Sequence, residues 1–294
     1  MTYTRHSGTG VSTDVQDESV FVDEFRPAGP DREPAGLPPG WLARPAAGLA
    51  AGDGIARVTP EGLVVAPPGR DPATGRPRFA APASSDAVSH LRWVAFAGTA
   101  TPPGFALRDG SVLTAHMELA AEIYGPAVRV PVAGPGTGPV SGSGVADTRA
   151  GMGGMLCVDL GSGLVLDFLL TNDRVWVLYE RLGRPGTGHG TFTYEIPVAE
   201  RSPDRRHQCA VRVDRARGTA VWSLDGEEVL AVPDLGRRLL SRSAHLTRSA
   251  DGPDESVRPD RLALGIGLFS EIPEFSGVRV TVRRATVSRS APTR

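Results

Sequence analysis

The stretch GLVLDFLLTNDRVWVLYER, residues 163–181, decides the fold. Two runs rich in Val, Leu, Phe and Trp flank a polar tip, which is the pattern of an antiparallel β-hairpin. With Thr171, Asn172 and Asp173 as the tip, Leu170 and Arg174 close the turn. Period-2 alternation then sets Leu164, Leu166, Phe168 and Leu170 on one face, with Trp176 and Leu178 opposite them. That face reads as dry core. The other face carries Val165, Asp167 and Leu169, matched by Val175, Val177, Tyr179 and Arg181. An acid, a phenol and a guanidinium among apolar neighbours suit the wall of a binding cleft. Asp167 and Tyr179 are therefore the candidate catalytic groups, and Arg181 a substrate contact.

Working outward, HQCAVRVDRARGTAVWSLDGEEVLAV (207–232) supplies further strands with turns at Asp214–Gly218 and Asp225-Gly226, and puts His207, Cys209, Val211 and Val213 on one face. Strands are also expected at 19–25, 62–66, 90–97, 111–125, 154–160, 190–198, 261–269 and 278–288. Short strands at close spacing, with almost no 3.6-residue periodicity, define an all-β class and a sandwich of two antiparallel sheets with long Pro/Gly-rich loops. Residues 1–19 read as a disordered leader, 20–289 as a single sandwich domain and 290–294 as a tail. The Pro- and Gly-rich stretch 26–51 around Trp41 reads as ordered loop, and 134–155 as a glycine-rich lid or linker. Residues 234–246 are the one helical candidate and read equally well as ordered loop.

Composition narrows the function. The chain of 294 residues is 40% apolar and 22% charged, with a net charge of −1, so it can build a large core but has no basic excess for nucleic acid or an anionic membrane. All 32 basic residues are arginine. Without lysine there is no Schiff-base chemistry and no phosphate-loop lysine. This composition suits a high-GC genome, such as an actinobacterial one. No apolar export segment opens the chain and no run is long enough to span a membrane, so a cytoplasmic location is expected, with Cys157 and Cys209 as buried thiols.

The hairpin at 207–232, with the upstream Arg206, resembles one that recurs in the concanavalin A-like lectin/glucanase superfamily, with Arg206 where Trp is usual. That superfamily includes family-16 glycoside hydrolases and laminin-G modules. The segments LDFLLTN, LYERL and RSPDRRH are similar to those of an actinobacterial family of unknown function. The resemblance implies a jelly-roll sandwich. In family-16 hydrolases one strand carries Glu-x-Asp-x-Glu; here Val165 stands for the nucleophile, Asp167 for the middle Asp and Leu169 for the acid/base. A retaining mechanism needs two carboxyls about 5–5.5 Å apart, so this strand alone cannot run it.

Other candidates complete the set. Glu118 and Glu122 are four residues apart and share a strand face; His189 lies in a glycine-rich loop; Trp93 and Trp222 are candidates to line the cleft. His90 and His116 lack metal-ligand spacing, and neither a metal nor a cofactor is implied. The expected function is a cofactor-independent enzyme acting on a hydrophobic small molecule in secondary metabolism, of cyclase or isomerase type. The alternatives are a non-catalytic carbohydrate-binding module or a diverged glycoside hydrolase using Glu118 and Glu122 or Glu180. The expected partner is a small-molecule ligand, with homo-oligomerisation possible.

Overall fold

A computed structural model describes residues 18–27, 36–80, 90–98, 100–125, 129–130, 145–146, 148–184 and 186–292. Most of the expected leader, and the expected lid up to 147 apart from 145–146, lie outside these residues. The strands of four residues or more are β1 (Glu18–Asp23), β2 (Trp41–Arg44), β3 (Ile55–Thr59), β4 (Gly62–Ala66), β5 (Leu91–Ala97) and β6 (Val112–Tyr124). They continue as β7 (Met152–Asp159), β8 (Leu164–Leu170), β9 (Arg174–Arg181), β10 (Thr191–Glu200) and β11 (His207–Asp214). The last are β12 (Thr219–Leu224), β13 (Glu227–Val232), β14 (Leu246–Ala250), β15 (Arg261–Phe269) and β16 (Gly277–Ser290).

Two large antiparallel sheets form a jelly-roll sandwich. The eight-stranded sheet runs β13-β12-β11-β6-β16-β4-β3, with β1 also on β16; the nine-stranded sheet runs β14-β10-β9-β8-β7-β15-β5-β2, with a two-residue strand also on β15. Their inner faces meet in one apolar core, where Met117, Cys209, Val211 and Trp222 of the first sheet face Cys157, Phe168, Tyr179 and Leu264 of the second. β16 keeps its inward row only by a bulge. Its register slips between Val282 and Arg284, so the core residues change from Val278, Val280 and Val282 to Ala285 and Val287. One extra residue is enough to switch which parity points inward.

The hairpin that decides the fold closes one residue tighter than the sequence suggests. The Thr171 N–H donates to the Arg174 carbonyl at 3.0 Å, so the turn is Asn172-Asp173 and Leu170 opposes Val175. A one-residue slip turns every side chain of the second strand to the other face. Val175, Val177, Tyr179 and Arg181 therefore join the inward row of Leu164–Leu170, while Trp176, Leu178 and Glu180 join Val165, Asp167 and Leu169 outside. The tip is fixed by tertiary contacts. The Asn172 amide both accepts from the Ile123 N–H at 2.8 Å and donates to the Ile123 carbonyl at 2.9 Å. The buried Thr171 hydroxyl takes the Trp176 indole N–H at 3.1 Å.

Three other expectations change. Residues 41–44, read as loop, form edge strand β2, whose Trp41 indole donates to Asp23 at 2.9 Å. Residues 234–246 hold a short 3-10 turn at Leu240–His245 in place of a helix. The expected lid ends in a 3-10 turn at Thr148–Ala150 and in β7 itself. Among the described residues no helix is long and apolar enough to cross a membrane.

Candidate functional site

The outward face of the nine-stranded sheet has its own apolar layer of Phe96, Met152, Leu156, Val165, Leu169, Trp176 and Phe269. Glycine makes this layer flat. A Cβ at Gly267 would sit 2.6 Å from the Phe269 ring, which lies across it. Three carboxyls break the layer, and register gives their placement. Asp167 on β8 opposes Leu178 on β9, and Leu178 opposes Glu195 on β10. In the next row Val165 opposes Glu180, and Glu180 opposes Thr193. Asp167, Glu180 and Glu195 thus step diagonally across three adjacent strands, and diagonal neighbours lie about 7–8 Å apart.

Each carboxyl is held. Asp167 is 3% exposed, and its Oδ1 accepts the Cys157 backbone N–H at 2.8 Å. The regular pairing of β7 with β8 is interrupted at that point, between Met155 and Val158. Burial pushes the Asp167 carboxyl well above its ordinary range, the Cys157 N–H opposes the rise, and Glu180 adds to it. Glu180 accepts the Thr193 hydroxyl at 2.6 Å. Burial raises its pKa too, while Thr193 and Arg248 pull it down and Glu195 pushes it up. Glu195 accepts hydroxyls from Thr148 at 2.8 Å and Thr247 at 3.3 Å.

Glu180 and Glu195 line a cavity of about 40 Å³ with His90, Met152, Leu169 and Arg248 among its other walls. His90 stacks on Phe269 at 5.8 Å, and burial, then Arg248, lower its pKa. Arg248, on edge strand β14, pairs with Glu271 at 2.6 Å. This ion pair bridges two walls of the cavity, joining β14 to the loop after β15. A buried acid kept protonated, beside a second carboxyl on a neighbouring strand, can deliver a proton to one atom while the other withdraws one nearby.

The structure disperses most of the sequence-derived candidates. Asp167 stands on this face, with Glu180 of the hydrolase alternative on the next strand. Tyr179 is fully buried in the core, where its hydroxyl accepts the Gly236 N–H at 2.8 Å and donates to the Arg237 carbonyl at 3.0 Å. Arg181 follows it inward, and its Nη1 has no hydrogen-bond partner among the described residues. Both were misplaced by the hairpin register. His189 is a packed loop residue whose Nε2 lies 3.0 Å from the Leu182 carbonyl. Trp93 and Trp222 are core; Trp222 meets the Tyr179 ring edge-on at 6.2 Å. Glu118 and Glu122 do share a face, but on the eight-stranded sheet, opposite Arg284 and Arg279, which is the far side of the sandwich from Asp167. Glu195 and Thr193 were missed although FTYEIPV alternates: with Phe192, Tyr194 and Ile196 buried inward, Thr193 and Glu195 must face out. His90, Arg248 and Glu271 come from distant segments and leave no local signal.

Fold and site together define the class: a two-sheet antiparallel β-sandwich with three acids set into one outer apolar face. The chain belongs to DUF6081, a family of unknown function, whose model matches residues 19–291. No curated protein matches it. Among solved structures it is similar to SCLam, a non-specific endo-β-1,3(4)-glucanase from family GH16, at 12% identity over 96% of this chain and 94% of that one, with a TM-score of 0.44. It is similar to alginate lyase A1-II′ of polysaccharide lyase family 7 at 11% identity, 81% and 84% coverage and a TM-score of 0.44. The Bacillus licheniformis β-glucanase matches at 9% identity, 94% and 99% coverage and a TM-score of 0.42.

Proposed function

We propose that this chain is a diverged glycoside hydrolase acting at the outward face of the nine-stranded sheet, with Glu180 as general acid and Glu195 as general base. One observation carries the reading. Glu180 stands directly across from Val165, where the likeness to family-16 hydrolases expects a carboxyl on β8, so the neighbouring strand brings a carboxyl to that place, as an acid and not as a nucleophile. Its burial keeps it protonated to higher pH than an ordinary glutamate, as a leaving-group acid requires. Glu180 and Glu195 are diagonal neighbours on adjacent strands, one register row further apart than residues directly opposite, which leaves room for a water between an acid and a base as an inverting reaction requires. Glu195 then activates the water, and the apolar layer of Leu169, Leu178 and Phe269 packs against a sugar ring.

A cavity of about 40 Å³ holds a water and not a sugar ring. Substrate entry therefore requires Arg248 and Glu271 to part. Theirs is a partly exposed ion pair, of a kind worth only about 0–1 kcal/mol. The cyclase or isomerase reading offered Asp167 or Tyr179 to move a proton, and it loses the second, because the Tyr179 hydroxyl is already saturated inside the core.

The test is hydrolysis of a panel of β-glucans and aryl glycosides followed by proton NMR, which reads both turnover and the anomer first released. Turnover with inverted product supports the assignment. Retained product refutes the Glu180–Glu195 pairing. Binding of a glycan without turnover, equally strong in Glu180→Gln, makes the chain a lectin-like module instead.

A further inference from the structure

On the opposite side of the sandwich, the outward face of the eight-stranded sheet carries a cavity of about 390 Å³ that the proposed activity does not use. Register builds its floor. Arg57 on β3 opposes Val64 on β4, and Val64 opposes Thr281 on β16. One row further, Ile55 opposes Ala66, and Arg279 leads into the cavity from β16. The floor is thus made of small side chains, with Arg57 on one flank and Arg279 on the other. Pro67, Pro68 and Pro77 contribute walls, and their fixed φ angles hold that shape before any ligand arrives.

The charge of this cavity is one-sided. Its lining includes Arg57, Arg70 and Arg279 and no carboxylate, in a chain with 33 acids against 32 arginines. Arg279 is partly neutralised by Glu61 at 3.0 Å. Among the described residues the Arg57 and Arg70 guanidinia make no ion pair or hydrogen bond. A further cation, Arg76, lies 5.9 Å over the ring of Tyr124, which forms one end. The Tyr124 hydroxyl donates to Glu122 at 2.8 Å. Glu61 and Glu122 lie on the Arg279 side, and Asp71, which follows Arg70 in the chain, has its carboxylate engaged by the Thr74 N–H and hydroxyl and by Arg78 at 3.8 Å.

We propose that this cavity is a second binding site, for a ligand bearing oxyanion groups (carboxylate, sulfate or phosphate) gripped by Arg57 and Arg70. The planar guanidinium fork matches oxyanions in paired hydrogen bonds, a concave wall concentrates its field, and the volume lies at the lower end of small-ligand sites, about 300–1,000 Å³. Val64, Ala66 and the prolines offer apolar contact to the carbon frame of the ligand. The site lies across the whole thickness of the sandwich from Glu180, so it does not depend on the hydrolase assignment.

Isothermal titration at low, constant ionic strength tests it with inorganic phosphate, sulfate and an oligogalacturonate as probes. At least one is expected to bind, and Arg57→Gln with Arg70→Gln should weaken it by roughly tenfold or more, about 1.4 kcal/mol. Arg212→Gln, on the same sheet face but outside the cavity, and Glu180→Gln should leave that affinity unchanged. Phosphate or sulfate binding as well as the oligouronate identifies a simple oxyanion site, and oligouronate binding alone identifies an acidic glycan. Failure of all three probes to bind at millimolar concentration, or equal binding by the double variant, overturns the proposal.

Discussion

Replacing Asp167 by asparagine removes a titration without removing a hydrogen-bond acceptor, because the amide oxygen still receives the Cys157 N–H. In the unfolded chain this carboxyl titrates near its ordinary value of 3.8, whereas burial raises it well above that in the fold. Between those two limits the folded chain holds a proton that the unfolded chain has released. Stability of the wild-type chain therefore falls as pH rises through this window, by about 1.4 kcal/mol per unit for one proton. Below the unfolded value both states are protonated and no loss occurs. Above the folded value the loss is complete. Glu180, also raised, contributes with the same sign. The Asp167→Asn variant keeps the Glu180 contribution and lacks the one from position 167. It starts at acid pH somewhat less stable than wild type, by about 1–3 kcal/mol if its amide N–H groups find no partner. The difference then shifts in its favour by about 1.4 kcal/mol per pH unit. Urea unfolding followed by tryptophan fluorescence at about pH 4, 5, 6 and 7 measures this. A wild-type-minus-variant difference that stays flat across the series would mean that Asp167 is a solvated carboxylate, and would refute its buried, protonated state.

Three further outcomes follow from the same geometry. Thr193→Val deletes the hydroxyl that holds the Glu180 carboxylate, so the alkaline limb of a pH–rate profile should move to higher pH; an unmoved limb argues against Glu180 as the titrating acid. Tyr179→Phe leaves the buried Gly236 N–H without its acceptor and should destabilise by about 1–3 kcal/mol while KM stays unchanged, as melting curves and initial rates will show. Arg248→Ala should alter stability by less than about 1 kcal/mol yet lower KM severalfold by freeing the cavity mouth. A raised KM would instead make Arg248 a substrate contact.

Much of the fold was legible because strand alternation and turn residues are local. β9, β11, β13 and β15 run between the residues where the pattern starts and stops. Edge strands β2 and β3 were missed because each pairs on one side only and lies among Pro and Gly, so its stability comes from its single partner and not from propensity. The site was harder to read for a sharper reason. β8 is buried on both faces, and its apolar run specifies no register for the strand it pairs with. A single residue of turn length then decided whether Tyr179 or Glu180 stood beside Asp167. What selects the tighter turn is Asn172 reaching Ile123 on the other sheet, a contact 49 residues away in sequence. His90, Arg248 and Glu271 likewise meet only through the completed sheet.

The proposed hydrolysis rests on Glu180 as the proton donor, and the most direct measurement pairs initial rates with melting temperature for Glu180→Gln on a glycan found to be turned over in the panel of β-glucans and aryl glycosides. Glutamine keeps the shape and the Thr193 hydroxyl contact but has no proton to transfer. The expected result is a loss of about 10²–10⁴-fold in kcat at a melting temperature equal to or above wild type, since a buried titrating acid has been removed. Undiminished kcat in a folded variant would contradict it.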